Sequence, residues 1–182
     1  MEKIMKMMLG GFLVFGLVIS NVSMDSVYAS SSDTGAIGAL QDKEFTLNEM
    51  LEYAIEDEYL AQTEYDLIMK EFNVTRPFSN IIKSEGTHIS LLEPLFDKYN
   101  VVIPNKDWES LLEVPSSLNE AYEVGVEAEI KNIAMYELFL KQDLPDDVRI
   151  VFERLKSASE NHLRSFERQV DRKIGGNFNK NN

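Results

Sequence analysis

The sequence predicts an all-α protein, an antiparallel bundle of four helices with one long crossover between the second and the third. Apolar residues recur at helical spacing in four long segments. About three residues join the first segment to the second, and the same number joins the third to the fourth. Such short connections produce antiparallel hairpins, whereas the roughly 17 residues between the second and third segments allow a crossover.

The composition limits which molecules and cofactors the protein could bind. The 182 residues are enough for one domain, and 44% of them are hydrophobic, which supports a packed core. The formal net charge of −13 argues against nucleic acid and anionic membranes as partners and favours cations. The chain has no cysteine, which excludes disulfides, iron–sulfur clusters, thiolate zinc sites and cysteine nucleophiles.

Residues 1–29 have the pattern of a secretory signal peptide. Lys3 and Lys6 precede an apolar run over residues 9–19, and residues 27–29 (Val-Tyr-Ala) form a cleavage site of the small-x-small type. Cleavage is predicted after Ala29, which would place the mature protein outside the cytoplasm, secreted and free of the membrane. The alternative is an uncleaved N-terminal anchor, although the apolar run is short for a membrane span.

The remaining chain divides by composition. Residues 30–44 are rich in Ser, Gly and Ala and predict a flexible lead-in. Residues 45–174 hold the four helical patterns, and residues 175–182 predict a polar, disordered tail. Within the crossover, residues 107–112 favour one short helix.

The first two helices have clear boundaries in the sequence. Thr46 and Glu49 form a capping box, and the helix that they start is expected to end near Asn73. The second helix carries Pro77 in its first turn, where the missing N–H has no cost. Pro94 lies inside the second pattern and predicts a kink or a local break.

The last two helices have equally clear signals. Ser117 and Glu120 form a second capping box at the start of the third helix. The fourth helix is expected to begin at Pro145, with two aspartates in its first turn, and to end near Ile174 with Gly175 as its C-cap.

The chain contains only two histidines, and both fall in predicted helices. His88 follows Glu85 by three residues, so that the imidazole and the carboxylate share one helix face and can bind one ion. His162 lies in the fourth helix, three residues after Ser159.

A repeated pair of motifs accompanies the histidines. Glu58 precedes Tyr65 by seven residues in the first helix, and Glu129 precedes Tyr136 by seven in the third, which puts each pair on one face. The histidines follow these glutamates by 30 and 33 residues. A helical hairpin that occurs twice explains this spacing.

These motifs resemble those of the ferritin-like superfamily, whose di-iron members use a Glu from two helices and Glu-x-x-His from the other two. The resemblance covers about residues 45–172. The first helix is similar to rubrerythrin in its Glu-x-x-Ala-x-x-x-Tyr motif, formed by Glu58, Ala61 and Tyr65. The phrases around the motifs look like those of a separate branch with a domain of unknown function: residues 57–59, 77–81 and 159–164.

The resemblance implies a metal pair that reacts with dioxygen or peroxide. Iron, as one or two ions, is the expected metal, and manganese and zinc are the alternatives. The implied ligands are Glu58, Glu85, His88, Glu129 and His162. Glu85 and His88 belong to one half-site with Glu58, and Glu129 is expected to bridge the two positions or complete the second. Tyr65 and Tyr136 would either donate hydrogen bonds to ligand carboxylates or serve as ordinary interior residues.

Position 159 departs from the family pattern. The second Glu-x-x-His motif requires a glutamate there, and this chain has Ser159. Glu160 is rotated by about 100° around the helix and does not replace it. The absence of cysteine also excludes the rubredoxin-type relay of a complete rubrerythrin.

Two functional hypotheses follow from the sequence. The first is an exported metal-binding protein that acts as an iron-dependent oxidoreductase on dioxygen or peroxide. The second is a non-catalytic extracellular helical bundle, a binding or structural module with a degenerate metal site. The sequence leaves the substrate, the electron donor and the oligomeric state open, and it is compatible with a homodimer.

Overall fold

The computed structural model describes residues 33–178, with side chains up to residue 172. This part of the chain is all-helical and contains no strand, which confirms the predicted class. The signal peptide predicted at residues 1–29 and the last four residues of the predicted tail lie outside the described residues. None of the described helices has the length and apolar character needed to cross a membrane. The elements are α1 (Gly35–Gln41), α2 (Leu47–Phe72), α3 (Phe78–Tyr99), a short 3₁₀ helix (Glu109–Leu111), α4 (Leu118–Phe139) and α5 (Asp146–Phe178).

Local capping signals set the starts of the long helices. The side chains of Thr46 and Glu49 each accept a hydrogen bond from the other's backbone N–H, which confirms the first capping box. Ser117 caps α4 through the N–H of Glu120. The carboxylate of Glu120, however, accepts from the N–H of Ser116 at 2.8 Å, so only half of the second capping box forms.

The four long helices form two antiparallel hairpins that pack around two apolar clusters. The first cluster joins the start of α2 to the end of α3 and the end of α4 to the start of α5. The second cluster joins the end of α2 to the start of α3, and the start of α4 to the later part of α5. Contacts between α2 and α4 and between α3 and α5 unite the hairpins.

Helix α1 lies within residues 30–44, which were predicted to be a flexible lead-in, and shows that residues 35–41 of this segment are ordered as a helix. Its small residues pack closely against α2 and α4, and Ala36 and Ala39 are buried. The carboxylate of Asp57 accepts from the N–H of Ala36 at 2.8 Å, and that of Glu56 accepts from the N–H of Gly35 at 3.2 Å. The helix has only seven residues, so tertiary contacts rather than helix propensity hold it.

Two further details differ from the sequence-based expectation. Helix α3 continues through Pro94, so a local break is absent. The carbonyl that loses its partner belongs to Ser90, which is exposed, so solvent can satisfy it. Helix α5 runs to Phe178 and therefore passes Gly175, the predicted stop.

The crossover is fixed to α2 by two side chains. Trp108 stacks on Tyr59 with ring centroids 5.3 Å apart, and the ammonium of Lys106 lies 2.5 Å from a carboxylate oxygen of Glu56. The predicted short helix near residues 107–112 is present as the 3₁₀ helix. The crossover thus lies against the same part of α2 that holds α1.

Two glycines give opposite predictions for stability. A Cβ on Gly125 would lie 2.9 Å from three ring atoms of buried Phe166, whereas a Cβ on Gly86 would meet only the amide nitrogen of Gln62 at 3.3 Å. Overpacking a rigid ring costs about 1–3 kcal/mol, whereas Ala gains about 1 kcal/mol over Gly in a helix. We expect Gly125→Ala to lower the free energy of unfolding in urea by about 1 kcal/mol and Gly86→Ala to raise it. Equal changes in both variants would contradict the packing around Phe166.

Candidate metal centre

The five ligand residues predicted from the sequence come together in the interior. They form a polar layer between the two apolar clusters, about halfway along each long helix. All five side chains are buried; the exposed fraction ranges from 1% for Glu58 to 7% for His162. Buried carboxylates and imidazoles are costly unless they pair with one another or with a cation.

One group of three donors lies on α2 and α3. The Nδ1 atom of His88 is 2.9 Å from Oε2 of Glu58 and 2.8 Å from Oε2 of Glu85. On the other side of the ring, Nε2 lies 3.2 Å from the hydroxyl of Ser84. This contact orients the imidazole so that Nδ1 faces both carboxylates.

The second group joins three helices and shares Glu85 with the first. The Nδ1 atom of His162 is 3.1 Å from Oε1 of Glu85 and 3.5 Å from Oε1 of Glu129. Each oxygen of Glu85 therefore faces a different histidine. Of the two places predicted for Glu129, the geometry agrees with the one in the second group, whereas Glu85 is the carboxylate that lies between the two histidines.

The pKa values of the three glutamates in this layer are set by their burial and by their pairing with the histidines. Burial raises the pKa of Glu85, but the hydrogen bonds of His162 and His88 lower it more, to about 2. Burial and the charge of Glu85 raise the pKa of Glu58 to about 8, and burial raises that of Glu129 to about 7. Glu85 is therefore the permanent anion at the centre of the layer.

Burial lowers the pKa of both histidines, but the neighbouring carboxylates raise it further. The pKa of His88 is raised to about 10 by Glu58 and Glu85, and that of His162 to about 9 by Glu129 and Glu85. Both imidazoles are therefore positively charged at neutral pH, with a proton on each nitrogen, when no metal ion replaces one of these protons.

Two tyrosines connect the hairpins across the layer. The hydroxyl of Tyr65 on α2 donates to Oε1 of Glu129 at 3.0 Å, and that of Tyr136 on α4 donates to Oε1 of Glu58 at 2.8 Å. Both tyrosines are fully buried. Of the two interpretations that the sequence left open, hydrogen bonding to the carboxylates is the one observed.

Ser159 lies beside the layer but points its hydroxyl elsewhere. Its Oγ donates to Oδ1 of Asn132 at 2.7 Å, and the amide of Asn132 in turn donates to Asp57. Because Asp57 also accepts from the backbone of α1, a continuous chain of hydrogen bonds runs from position 159 to α1. These hydrogen bonds occupy the side of the layer where the resemblance to the ferritin-like superfamily predicted a sixth carboxylate.

Asn132 and Asp57 belong to this site but were not among the residues predicted from the sequence. Asn132 follows Glu129 by three residues, the same spacing that joins Glu85 to His88, and this signal could have found it. Asp57 directly precedes Glu58, and no sequence rule shows that its carboxylate holds α1. Its role depends on a helix that the sequence did not predict.

The donor set suits a metal ion. In the described part of the chain, Glu58, Glu85 and His88 form one group that could hold an ion, and Glu85, Glu129 and His162 form another, with ligand atoms within 4.8 Å of one another in each group. Nδ1 of His162 is buried without a well-aligned hydrogen bond. An imidazole nitrogen left in this way among carboxylate oxygens is a donor for iron, manganese or zinc.

Fold and site together define an all-helical protein with a buried centre of carboxylates and imidazoles. The family model described as an uncharacterized protein domain, DUF2202, matches residues 48–181, and the chain belongs to this family. Uncharacterized protein MJ0754 of Methanocaldococcus jannaschii is 29% identical over 138 residues, which cover 68% of this chain and 74% of that protein. The crystal structure of hypothetical protein MJ0754 is similar, with a TM-score of 0.62 and 26% identity, over 72% of this chain and 84% of the other.

Proposed function

We propose that this protein is an exported, ferritin-like four-helix bundle that binds two metal ions and uses them to reduce dioxygen or peroxide. The observation that carries the proposal is the position of Glu85, whose two oxygens face the two histidine nitrogens 2.8 and 3.1 Å away. A central carboxylate between two Glu/His groups is the arrangement expected for a pair of ions. Iron is the proposed metal because carboxylate and imidazole ligands suit it and because it supplies electrons.

The protein's own residues would hold and shield this chemistry. Glu58 with His88, and Glu129 with His162, would bind one ion each, and Glu85 would bind both. Held by these residues, iron would supply the electrons for reducing dioxygen or peroxide. The two tyrosine hydroxyls fix the outer carboxylates, and the apolar clusters on either side keep water out of the layer.

A second candidate function follows from the hydrogen bonds of Ser159. Because position 159 is a serine, the second half-site lacks its sixth ligand. The hydrogen bonds from Ser159 to Asn132 and from Asn132 to Asp57 already satisfy the polar groups on that side. Such a site would hold a structural ion, and the protein would act as an extracellular binding or structural module. The two candidates differ in metal stoichiometry and in redox activity.

Metal analysis followed by oxygen uptake tests the proposal. We expect about two Fe(II) ions per chain after anaerobic loading, and oxygen or peroxide consumption that depends on them. Tight binding of one ion without consumption would support the structural module. Failure to bind Fe(II), Mn(II) or Zn(II), with no change on His88→Ala, would exclude the redox function and leave a module that works without a metal ion.

Export is a separate part of the proposal and has its own test. It rests on the pattern of residues 1–29, which lie outside the described residues. Expression of the full chain in a secreting bacterial host should yield a mature protein that begins at Ser30. A chain that keeps its first 29 residues and stays with the membrane would indicate the anchor instead.

Metal uptake should release protons at neutral pH. The raised pKa values of His88 and His162, about 10 and 9, mean that both rings hold a proton at pH 7 before a metal ion takes the nitrogen lone pair. Glu58 and Glu129, whose pKa values are raised to about 8 and about 7, also hold protons near neutral pH and would lose them to a metal ion. We therefore expect about three to four protons released per fully loaded chain, and weaker metal binding as the pH falls. Calorimetry in two buffers with different ionisation enthalpies measures this number. Identical binding heats in both buffers would show that the imidazoles are not ligands.

A further inference from the structure

A small, partly open cavity lies next to the candidate metal centre, beneath α1. Its volume is about 30 Å³, and its wall includes Ile37 of α1, Glu64 of α2 and Leu112 of the crossover. This is enough space for a group the size of a water molecule or a bare metal ion. A second, smaller cavity of about 10 Å³ touches the ligands Glu58 and Glu85 themselves.

The two cavities share part of their walls. Asp57, Ala61 and Ala128 line both of them. Two of these three residues are alanines, so only small side chains and one carboxylate separate the outer cavity from the ligand layer. A short movement of an ion past these residues would connect the cavity to the site.

Glu64 is the unusual residue in the outer cavity. Its side chain is only 4% exposed, and its Oε1 atom has no hydrogen-bond partner. Burial raises its pKa to about 8, and the negative charges of Asp57 and Glu129 contribute to the shift. A buried carboxylate with an unsatisfied oxygen destabilises a fold, so its presence beside a metal centre calls for a ligand.

We propose that Glu64 receives divalent cations and passes them to the metal centre through the wall formed by Asp57, Ala61 and Ala128. The inference rests on the proposed metal-binding function and adds the route by which the ions arrive. Glu64 is a carrier on this route and not a ligand of the resident ions.

The surrounding charges favour a cation at this position. Both oxygens of Asp57 already accept hydrogen bonds, from Ala36 and from Asn132, so Glu64 offers the carboxylate oxygen that lacks a hydrogen bond. The ammonium of Lys131 also lines the cavity and lowers the pKa of Glu64, but less than burial and the neighbouring carboxylates raise it, and this ammonium lies 3.0 Å from a carboxylate oxygen of Glu127. A positive ion bound to Glu64 would relieve the repulsion that Asp57 and Glu129 exert on this carboxylate.

Co(II) loading of the full mature chain, followed by stopped-flow absorbance, tests the route. We expect Glu64→Gln to slow loading at least about tenfold, because an amide cannot ionise to the carboxylate that would bind the arriving ion, while the number of Co(II) ions bound at saturation stays that of the wild type. Glu71→Gln, the same substitution at an exposed position of α2, should load at the wild-type rate. Glu64→Asp keeps an ionisable carboxyl group and should load at an intermediate rate.

A second variant tests the path itself. Ala128→Val narrows the shared wall without changing the charge, and it should also slow loading. Wild-type loading rates in both Glu64→Gln and Ala128→Val would overturn the route and leave the proposed metal binding intact. Loss of a Co(II) ion at saturation in Glu64→Gln would also overturn it, because Glu64 would then be a resident ligand. A wild-type chain that binds no Co(II) would remove the proposed function and the route together.

Discussion

Replacing Glu85 with glutamine should abolish binding at both metal positions. Its two oxygens face His88 and His162 at 2.8 and 3.1 Å, so both groups of donors lose their common anion at once. Glutamine keeps the shape but has no charge and only one acceptor oxygen. Because loss of an outer-shell partner alone costs 10–100-fold in metal affinity, we expect at least about 100-fold weaker binding of each ion. Titration with Fe(II) under anaerobic conditions measures the change.

Matched variants separate the shared ligand from the others. Glu58→Gln should weaken only the first position and Glu129→Gln only the second, so each should lower the stoichiometry from about two ions to about one. Glu93→Gln makes the same change at an exposed position of α3 and should bind like the wild type. If Glu85→Gln still binds two ions, the central role of this carboxylate is wrong.

The sequence predicted those parts of the site that depend on one helix or one hairpin. The spacing of Glu85 and His88 fixes a common face whatever the rest of the chain does. The Thr46 capping box is equally local and forms as predicted. The repeated Glu-to-Tyr spacing correctly indicated that both halves contribute to one layer.

Relations between the hairpins were harder to predict. Tyr65 donates to Glu129 and Tyr136 to Glu58, so each tyrosine serves the glutamate of the other hairpin. Sequence spacing places a tyrosine on a face but does not say which carboxylate it reaches, because that depends on the docking of α2 against α4. The position of Glu85 between the two histidines depends on the same docking.

Helix α1 and the burial of Glu64 could not be predicted from the sequence for a different reason. Residues 35–41 are small and lack an extended apolar pattern, so composition alone suggested flexibility. Their helix is held by carboxylates of α2 that are more than 20 residues away in sequence. Glu64 is buried in part because α1 covers it, so its burial could not be predicted without α1.

Placing a glutamate at position 159 should strengthen metal binding, whereas Glu85→Gln should weaken it. Position 159 precedes His162 by three residues on the same face of α5, as Glu85 precedes His88 on α3. Ser159 is buried, and its hydroxyl is bound to Asn132. In Ser159→Glu, the longer side chain would supply the missing carboxylate, and we expect about 10–100-fold tighter binding of the second ion.

The stability of the Ser159→Glu variant, compared with the wild type, should fall without metal and recover when metal binds. One more buried carboxylate lowers the stability of the metal-free protein, by about 1–3 kcal/mol or more, because Ser159→Glu also breaks the hydrogen bond to Asn132. Metal binding should reverse this loss, since the ion binds only the folded chain. Thermal unfolding with and without Fe(II) measures both changes.

Ser159→Gln fills the same space without a charge and should lose stability without gaining affinity. Equal affinity for the metal in the Glu and Gln variants would show that position 159 is not a ligand position. Oxygen consumption in Ser159→Glu but not in the wild type would contradict the proposed redox function of the native chain and support the structural module.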